Sequence, residues 1–180
     1  MITQQHAREL LDQIETTEQR SQYYLGYWRY AIYVQLWGVI WIVAHLANYA
    51  LPGHAGTIWA IADAIGIALT IAGRLRQQER TGGERRLLWG ALILAAFGMM
   101  VTMLIGGRPQ AIEVFWTCLV MTVYMLYGLW AGPRWTVLGL LVSLVSLATY
   151  FYLRPWFDLV MAFAAGGGLL LGGFWLRRAA

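Results

Sequence analysis

Six apolar runs, each long enough to cross the hydrocarbon of a bilayer, dominate this 180-residue chain. They cover 30–51, 57–74, 87–106, 111–131, 134–153 and 156–176. A bilayer core about 30 Å thick takes about 20 helical residues, and inside it every backbone N–H and C=O must be bonded within its own segment or barrel. Runs of this length point to helices. The expected fold class is all-α: a polytopic integral membrane bundle of six transmembrane helices spanning 30–178, preceded by a cytoplasmic extension over 1–29. The breaks between runs carry turn chemistry: Pro52-Gly53, Gly106-Gly107-Arg108-Pro109, Gly132-Pro133 and Arg154-Pro155. Only the gap 74–86 is longer, and it is strongly polar. Charged residues make up 12% of the chain, against about 25% in soluble domains, so a soluble core is not a competing solution.

Arginine sets the orientation. All 13 basic residues are arginine, and only Arg108 and Arg154 fall in the loops that would lie outside if the N-terminus is inside. The others sit at Arg8, Arg20 and Arg29, in the 74–86 gap, at Arg134 and at Arg177-Arg178. Cytoplasmic loops carry such an excess, so both termini are expected in the cytoplasm of a bacterial inner membrane. The same distribution argues against nucleic acid as a partner, because the basic residues follow the gaps between spans rather than one soluble face. Trp28, Trp59, Trp89, Trp116, Trp130, Trp135, Trp156 and Trp175 fall near span ends, as an interfacial belt would, while Trp37 and Trp41 lie deeper. The polar, acidic stretch ahead of the first span does not read as a cleavable signal, and the span's own apolar run is expected to drive insertion.

The runs pair into three helical hairpins of similar length, 29–76, 85–132 and 133–178. Each second helix has a tryptophan and an acid near its start: Trp59 with Asp63, Glu113 with Trp116, Trp156 with Asp158. Such similarity fits either duplication or the shared needs of membrane hairpins. In helix count and hairpin rhythm the layout resembles small six-helix acid-resistance membrane proteins of the HdeD type. No motif of that family is present, and no residue role carries over.

Residues 4–28 show a helical apolar stripe through Ala7, Leu10, Leu11, Ile14, Tyr24, Leu25 and Trp28, opposite Glu9, Asp12, Glu15 and Glu18. A helix built for anionic lipid would be basic. This one is expected to dock on its own bundle, on a second copy, or on a protein partner.

Four ionisable residues fall within apolar runs: His45, Asp63, Glu113 and Asp158. Groups at that depth are costly, about 2.5–3.5 kcal/mol at mid-bilayer, and so are candidate sites for a ligand or proton. Glu113 and Asp158 follow Pro109 and Pro155 closely. There they can offset a helix dipole and reach Arg108 and Arg154. His45 and Asp63 lie equally far from residue 54, the middle of the first loop, which sets them at one depth and suggests a contact across the first hairpin. Such a pair either clips two helices together or holds a proton, because histidine titrates near neutrality. No catalytic motif, no cofactor signature and no metal cluster at helical spacing is visible, so no enzyme is expected. Cys118 reads as an inert buried thiol, and Ser143 and Ser146 as packing hydroxyls.

On these grounds the chain reads as a small inner-membrane protein acting by interaction, in an accessory, stress or regulatory role. Its partners would be the lipid bilayer and a protein or second copy, met through residues 4–28 and the sixth span. Ala164, Gly168 and Gly172 form a small-residue stripe on that span suited to close helix packing. The alternative is a small proton- or ion-coupled transporter or channel using His45 and Asp63.

Overall fold

The computed structural model describes Tyr27, residues 30–76 and residues 84–178. Among these are six helices long and apolar enough to cross a membrane. They are α1 Tyr30–Ala50, α2 Ala55–Arg76, α3 Glu84–Ile105, α4 Pro109–Ala131, α5 Pro133–Tyr152 and α6 Arg154–Arg177. The apolar spans begin and end within about two residues of the runs read from hydropathy. The proposed amphipathic helix over 4–28 lies outside the described residues, apart from Tyr27.

Proline and glycine set the boundaries. Pro109 and Pro133 stand in the first turns of α4 and α5, where a missing N–H costs nothing. Gly132, between α4 and α5, has φ 107°, a conformation that side chains resist, and an added Cβ there would also strike the Tyr27 hydroxyl. Gly53 follows Pro52 with φ 93°, which suits the tight turn between α1 and α2.

Four helices, α1, α4, α5 and α6, make the core. On α1 the buried residues Ala31, Val34, Gly38, Trp41, His45 and Asn48 recur every three or four positions, forming one inward stripe. That stripe meets α6 at backbone distance: a Cβ on Gly38 would lie 2.9 Å from the Gly166 carbonyl oxygen, and one on Gly173 would lie 3.0 Å from that of Ala31. Helices α4 and α5 pack along most of their length, with Gly128 against Thr136 and Gly139 against the Met121 carbonyl. In contrast, α2 and α3 stand at the periphery. Gly66 is the one buried residue of α2, seated under Trp37 and Ile40 of α1. Helix α3 leans on α4 where Trp116 covers Gly98 and its indole N–H donates to the Thr102 hydroxyl at 3.0 Å. The long α4–α5 contact crosses the boundary expected between the second and third hairpins.

Helix α6 is irregular, and this alters the small-residue stripe. It opens with a tight 3-10 turn at Arg154–Trp156, runs as α-helix over Phe157–Val160, widens into π turns at Met161–Gly166 and returns to α-helix from Gly167. One extra residue in a turn rotates all that follows by about 100° relative to a continuous α-helix. Four-residue spacing through this segment therefore does not define one face. Ala164 is exposed, Gly168 only grazes Val142, and Gly172 alone of the three packs tightly, against Leu138. The close approach to α1 falls to Gly166 and Gly173 instead.

The tryptophans divide in two. Trp89, Trp130, Trp156 and Trp175 are exposed at helix ends, as a belt requires. Trp135 is buried against Tyr124 and Tyr127, and Trp59 turns inward beside Trp41.

Candidate cation site at the loop end of the bundle

The end of the bundle that carries the turns 51–54, 106–108 and Leu153 gathers the polar side chains of three core helices. His45 and Asn48 come from α1, three residues apart and so on one helical face. Glu113 comes from α4, four residues past Pro109, and Asp158 from the first α-helical turn of α6. At about 1.5 Å per residue, all four lie within roughly 8 Å of their helix ends, at one level.

Asn48 ties the two carboxylates together. Its side-chain amide donates to Glu113 Oε1 and to Asp158 Oδ1, each at 2.9 Å. His45 Nδ1 stands 3.4 Å from Asp158 Oδ1 and 3.7 Å from Glu113 Oε2. His45 is 1% exposed and Glu113 8%, whereas the Asp158 side chain retains 19%. Three aromatic rings enclose the imidazole, with centroids 5.0 Å away for Trp59, 6.2 Å for Phe157 and 6.4 Å for Trp41. Within this group Glu113 Oε2, His45 Nε2 and the Trp59 indole nitrogen are buried without a well-formed hydrogen bond, the indole N–H lying toward the Glu113 carboxylate. Other buried polar atoms also lack partners, among them those of Tyr33, Trp135, Ser143 and Ser146, but here three of them fall on adjoining side chains.

An open crevice of about 510 Å³ leads down to the cluster. Asn48, Glu113 and Asp158 line it together with Pro52, Gly53, Arg108 and Arg154. Gln110 closes one wall by donating to the Arg154 carbonyl at 3.2 Å. The Arg154 guanidinium is held elsewhere. It donates to the Tyr150 hydroxyl at 2.7 Å and lies 4.5 Å from the centre of that ring.

These positions correct several expectations. His45 does not meet Asp63. Equal distance from the loop sets depth but not direction, and α2 turns Ala55, Trp59, Ala62, Gly66, Thr70 and Gly73 toward the bundle. Asp63 stands beside that stripe, exposed, with no polar partner among the described residues. Glu113 and Asp158 do not pair with Arg108 and Arg154. Both acids instead face the His45 imidazole, at 3.4 Å for Asp158 and 3.7 Å for Glu113. Glu113 also lies past the first turn of α4, so its place is not that of a dipole-neutralising acid. The absence of a metal cluster had been expected from spacing along single helices. Yet ligand atoms of His45, Glu113 and Asp158, drawn from three helices, all lie within 4.8 Å of one another. Asn48 escaped the sequence reading, although its place in the α1 stripe three residues after His45 was a usable signal. Cys118 is half-buried rather than buried, and Ser143 and Ser146 are buried on α5 with hydroxyls that make no well-formed hydrogen bond.

Comparison with protein-family models, curated proteins and solved structures finds no match for this chain.

Proposed function

We propose that the protein is a small multi-pass protein of the bacterial inner membrane that binds a cation through His45, Glu113 and Asp158, as the coupling site of a transporter. The observation that carries this reading is the convergence of those three side chains, from three different helices, beneath a crevice open at one end of the bundle. A clip between two helices needs a single hydrogen bond. Two carboxylates brought together beside a histidine at this depth repel each other and cost desolvation, and a bound cation offsets both. The arginine distribution supports an outward-facing crevice, with both termini in the cytoplasm. Nothing in the cluster suggests a nucleophile or a catalytic role, and the reading is non-enzymatic. Asp63, exposed and unpartnered, has no part in the site.

The test is a titration of the purified full-length protein in lipid nanodiscs, following thermal stability and tryptophan fluorescence against pH and against added cations. The wild type should respond, Asp63→Asn should respond equally, and Glu113→Gln and Asp158→Asn should not. A folded wild type insensitive to protons and to every cation tried would overturn the reading. Reconstituted liposomes then distinguish carriage from mere binding, through cation flux that disappears in Asp158→Asn.

An accessory role by interaction, including self-association, draws on a different observation. Helices α2 and α3 contribute almost nothing to the core and leave apolar faces uncovered, among them Leu92, Ile93, Met103 and Leu104. Lipid suffices to cover them. A second copy would cover them too, and the mass of the detergent-solubilised protein separates these cases.

A further inference from the structure

We infer that the cation is a divalent first-row transition metal ion, held by His45 Nδ1, Glu113 Oε2 and an Asp158 carboxylate oxygen, with Asn48 positioning both acids. This inference rests on the cation-site reading and names the chemical class of its ligand.

Distances decide between a shared proton and a metal. A charge-assisted N–H···O bond closes to about 2.7–2.9 Å. His45 Nδ1 stands 3.4 Å and 3.7 Å from its two carboxylate oxygens, too far for a strong bond to either. Ligand atoms about 2.1 Å from a tetrahedral ion stand about 3.4 Å from one another. His45 Nδ1 lies 3.4 Å and 3.7 Å from the two carboxylate oxygens, and the three ligand atoms lie within 4.8 Å of one another, so a small closure would bring them onto one ion. Glu113 Oε2 is buried, lacks a well-formed hydrogen bond and stands 3.7 Å from that imidazole nitrogen, a place a metal ion between them would fill.

The donor set narrows the class further. Imidazole selects zinc, iron, copper and nickel over magnesium or calcium, which prefer all-oxygen sites. Two carboxylates neutralise a divalent charge, whereas a monovalent ion would leave one anion buried and unpaired. Orientation comes from outside the ligand shell, as in known metal sites. Asn48 fixes the rotamers of both carboxylates by bonding Oε1 and Oδ1. Trp41, Trp59 and Phe157 fix the imidazole plane by packing, in place of an acceptor for Nε2. A fourth position would open toward the crevice, where Asp158 is partly exposed, so an ion could enter and leave. The nearest rim cation, Arg154, is drawn onto Tyr150 and does not occupy the place of the metal.

The experiment equilibrates the full-length protein, in nanodiscs and stripped with chelator, with Zn²⁺ or Mn²⁺. Bound metal is measured by elemental analysis, and tryptophan emission is followed during the Mn²⁺ titration in the wild type and in Trp59→Phe, whose difference reports Trp59 among the ten tryptophans. The expected result is one equivalent of zinc per chain, a raised melting temperature, and emission quenched by Mn²⁺, since Trp59 packs on the ligand imidazole. Asp158→Asn, at the partly exposed ligand, should weaken zinc binding at least tenfold while the protein stays folded. Asn48→Ala should weaken it about 10–100-fold as an orienting partner does, and Asn48→Asp should restore it in part. Asp63→Asn should bind as wild type. Folded wild type that takes up no stoichiometric zinc or manganese, or zinc binding that survives Asp158→Asn together with His45→Gln, overturns the inference. If stability still depends on pH through Glu113 and Asp158 in that case, the cation-site reading survives with a proton as its cation. If neither protons nor metals have any effect, both fail.

Discussion

Asn48 is the residue on which the site depends most for its geometry. One amide saturates its two N–H donors on two carboxylates from different helices, and no rotamer of a smaller side chain could reach both. Asn48→Ala should therefore leave two buried acceptors without donors, at about 1–3 kcal/mol each, and lower the melting temperature in nanodiscs. Asp63→Asn changes an exposed group with no polar partner among the described residues and should shift melting hardly at all. A large loss of stability in Asp63→Asn, with none in Asn48→Ala, would show that the first hairpin and not the three-helix cluster holds the polar contact. His45 cannot be replaced without disturbing three packed rings, so His45→Gln is a better probe than His45→Ala.

At the scale of the element, α6 is distinguished by its π turns and its glycines. Asp158 lies just before the widened turns at Met161–Gly166, and Gly166 and Gly173 let α6 touch the backbone of α1. The sign of a Gly→Ala change then depends on space. Alanine favours a helix over glycine by about 1 kcal/mol. At Gly38, however, the new methyl would lie 2.9 Å from both Gly166 O and Leu170 N, which are backbone atoms and cannot rotate away. Gly38→Ala should destabilise by about 1–3 kcal/mol, as overpacked cores do. At Gly90 a Cβ meets nothing within 4 Å, and Gly90→Ala should be neutral or stabilising. Thermal denaturation of the two variants in one lipid composition makes the comparison. Equal effects would mean that α1 and α6 do not meet as described. Likewise Gly166→Leu should be far more damaging than Gly168→Leu, because Ile42 crowds the first position and Val142, 3.9 Å away, barely reaches the second.

For the molecule as a whole, one end carries the turns 51–54, 106–108 and Leu153 with the polar cluster, and the other carries the Gly132-Pro133 turn together with the Arg76 end of α2 and the Glu84 end of α3. A reporter inserted at Gly53 or Gly107 should reach the outer side, and one fused after Arg80 or Arg178 should stay in the cytoplasm. A cytoplasmic signal at Gly107 would break the six-span topology and turn the crevice inward. Two-tier packing also follows from the fold. Helices α1, α4, α5 and α6 share a continuous core through Trp41, Met121, Leu138, Met161 and Leu169, while α2 attaches through Trp59, Gly66 and Gly73 and α3 through Gly98 and Thr102. Replacing Gly66 by leucine should loosen α2 from Trp37 and Ile40 and raise its proteolytic sensitivity, while leaving the core helices protected.

Hydropathy, turn residues and the arginine pattern were enough to read six spans to within about two residues of their ends, because a bilayer constrains length and backbone bonding segment by segment. The same reading singled out His45, Glu113 and Asp158, since an ionisable group in an apolar run is costly wherever it points. Direction was not legible. Depth follows from distance to a loop, but which helices become neighbours depends on packing across the whole bundle, so His45 was matched to Asp63 on the next helix rather than to Glu113 and Asp158 on distant ones. Asn48 stayed hidden because an amide carries no charge to make it conspicuous. The small-residue stripe of the last span failed for a local reason. Its four-residue spacing assumed an unbroken α-helix, and the wide turns at Met161–Gly166 break that assumption in the middle of the span. Sequence alone thus determined which segments cross the membrane and which residues are expensive there; tertiary packing alone decided that three of those residues share a single point, since that is a property of how helices meet and not of any one helix.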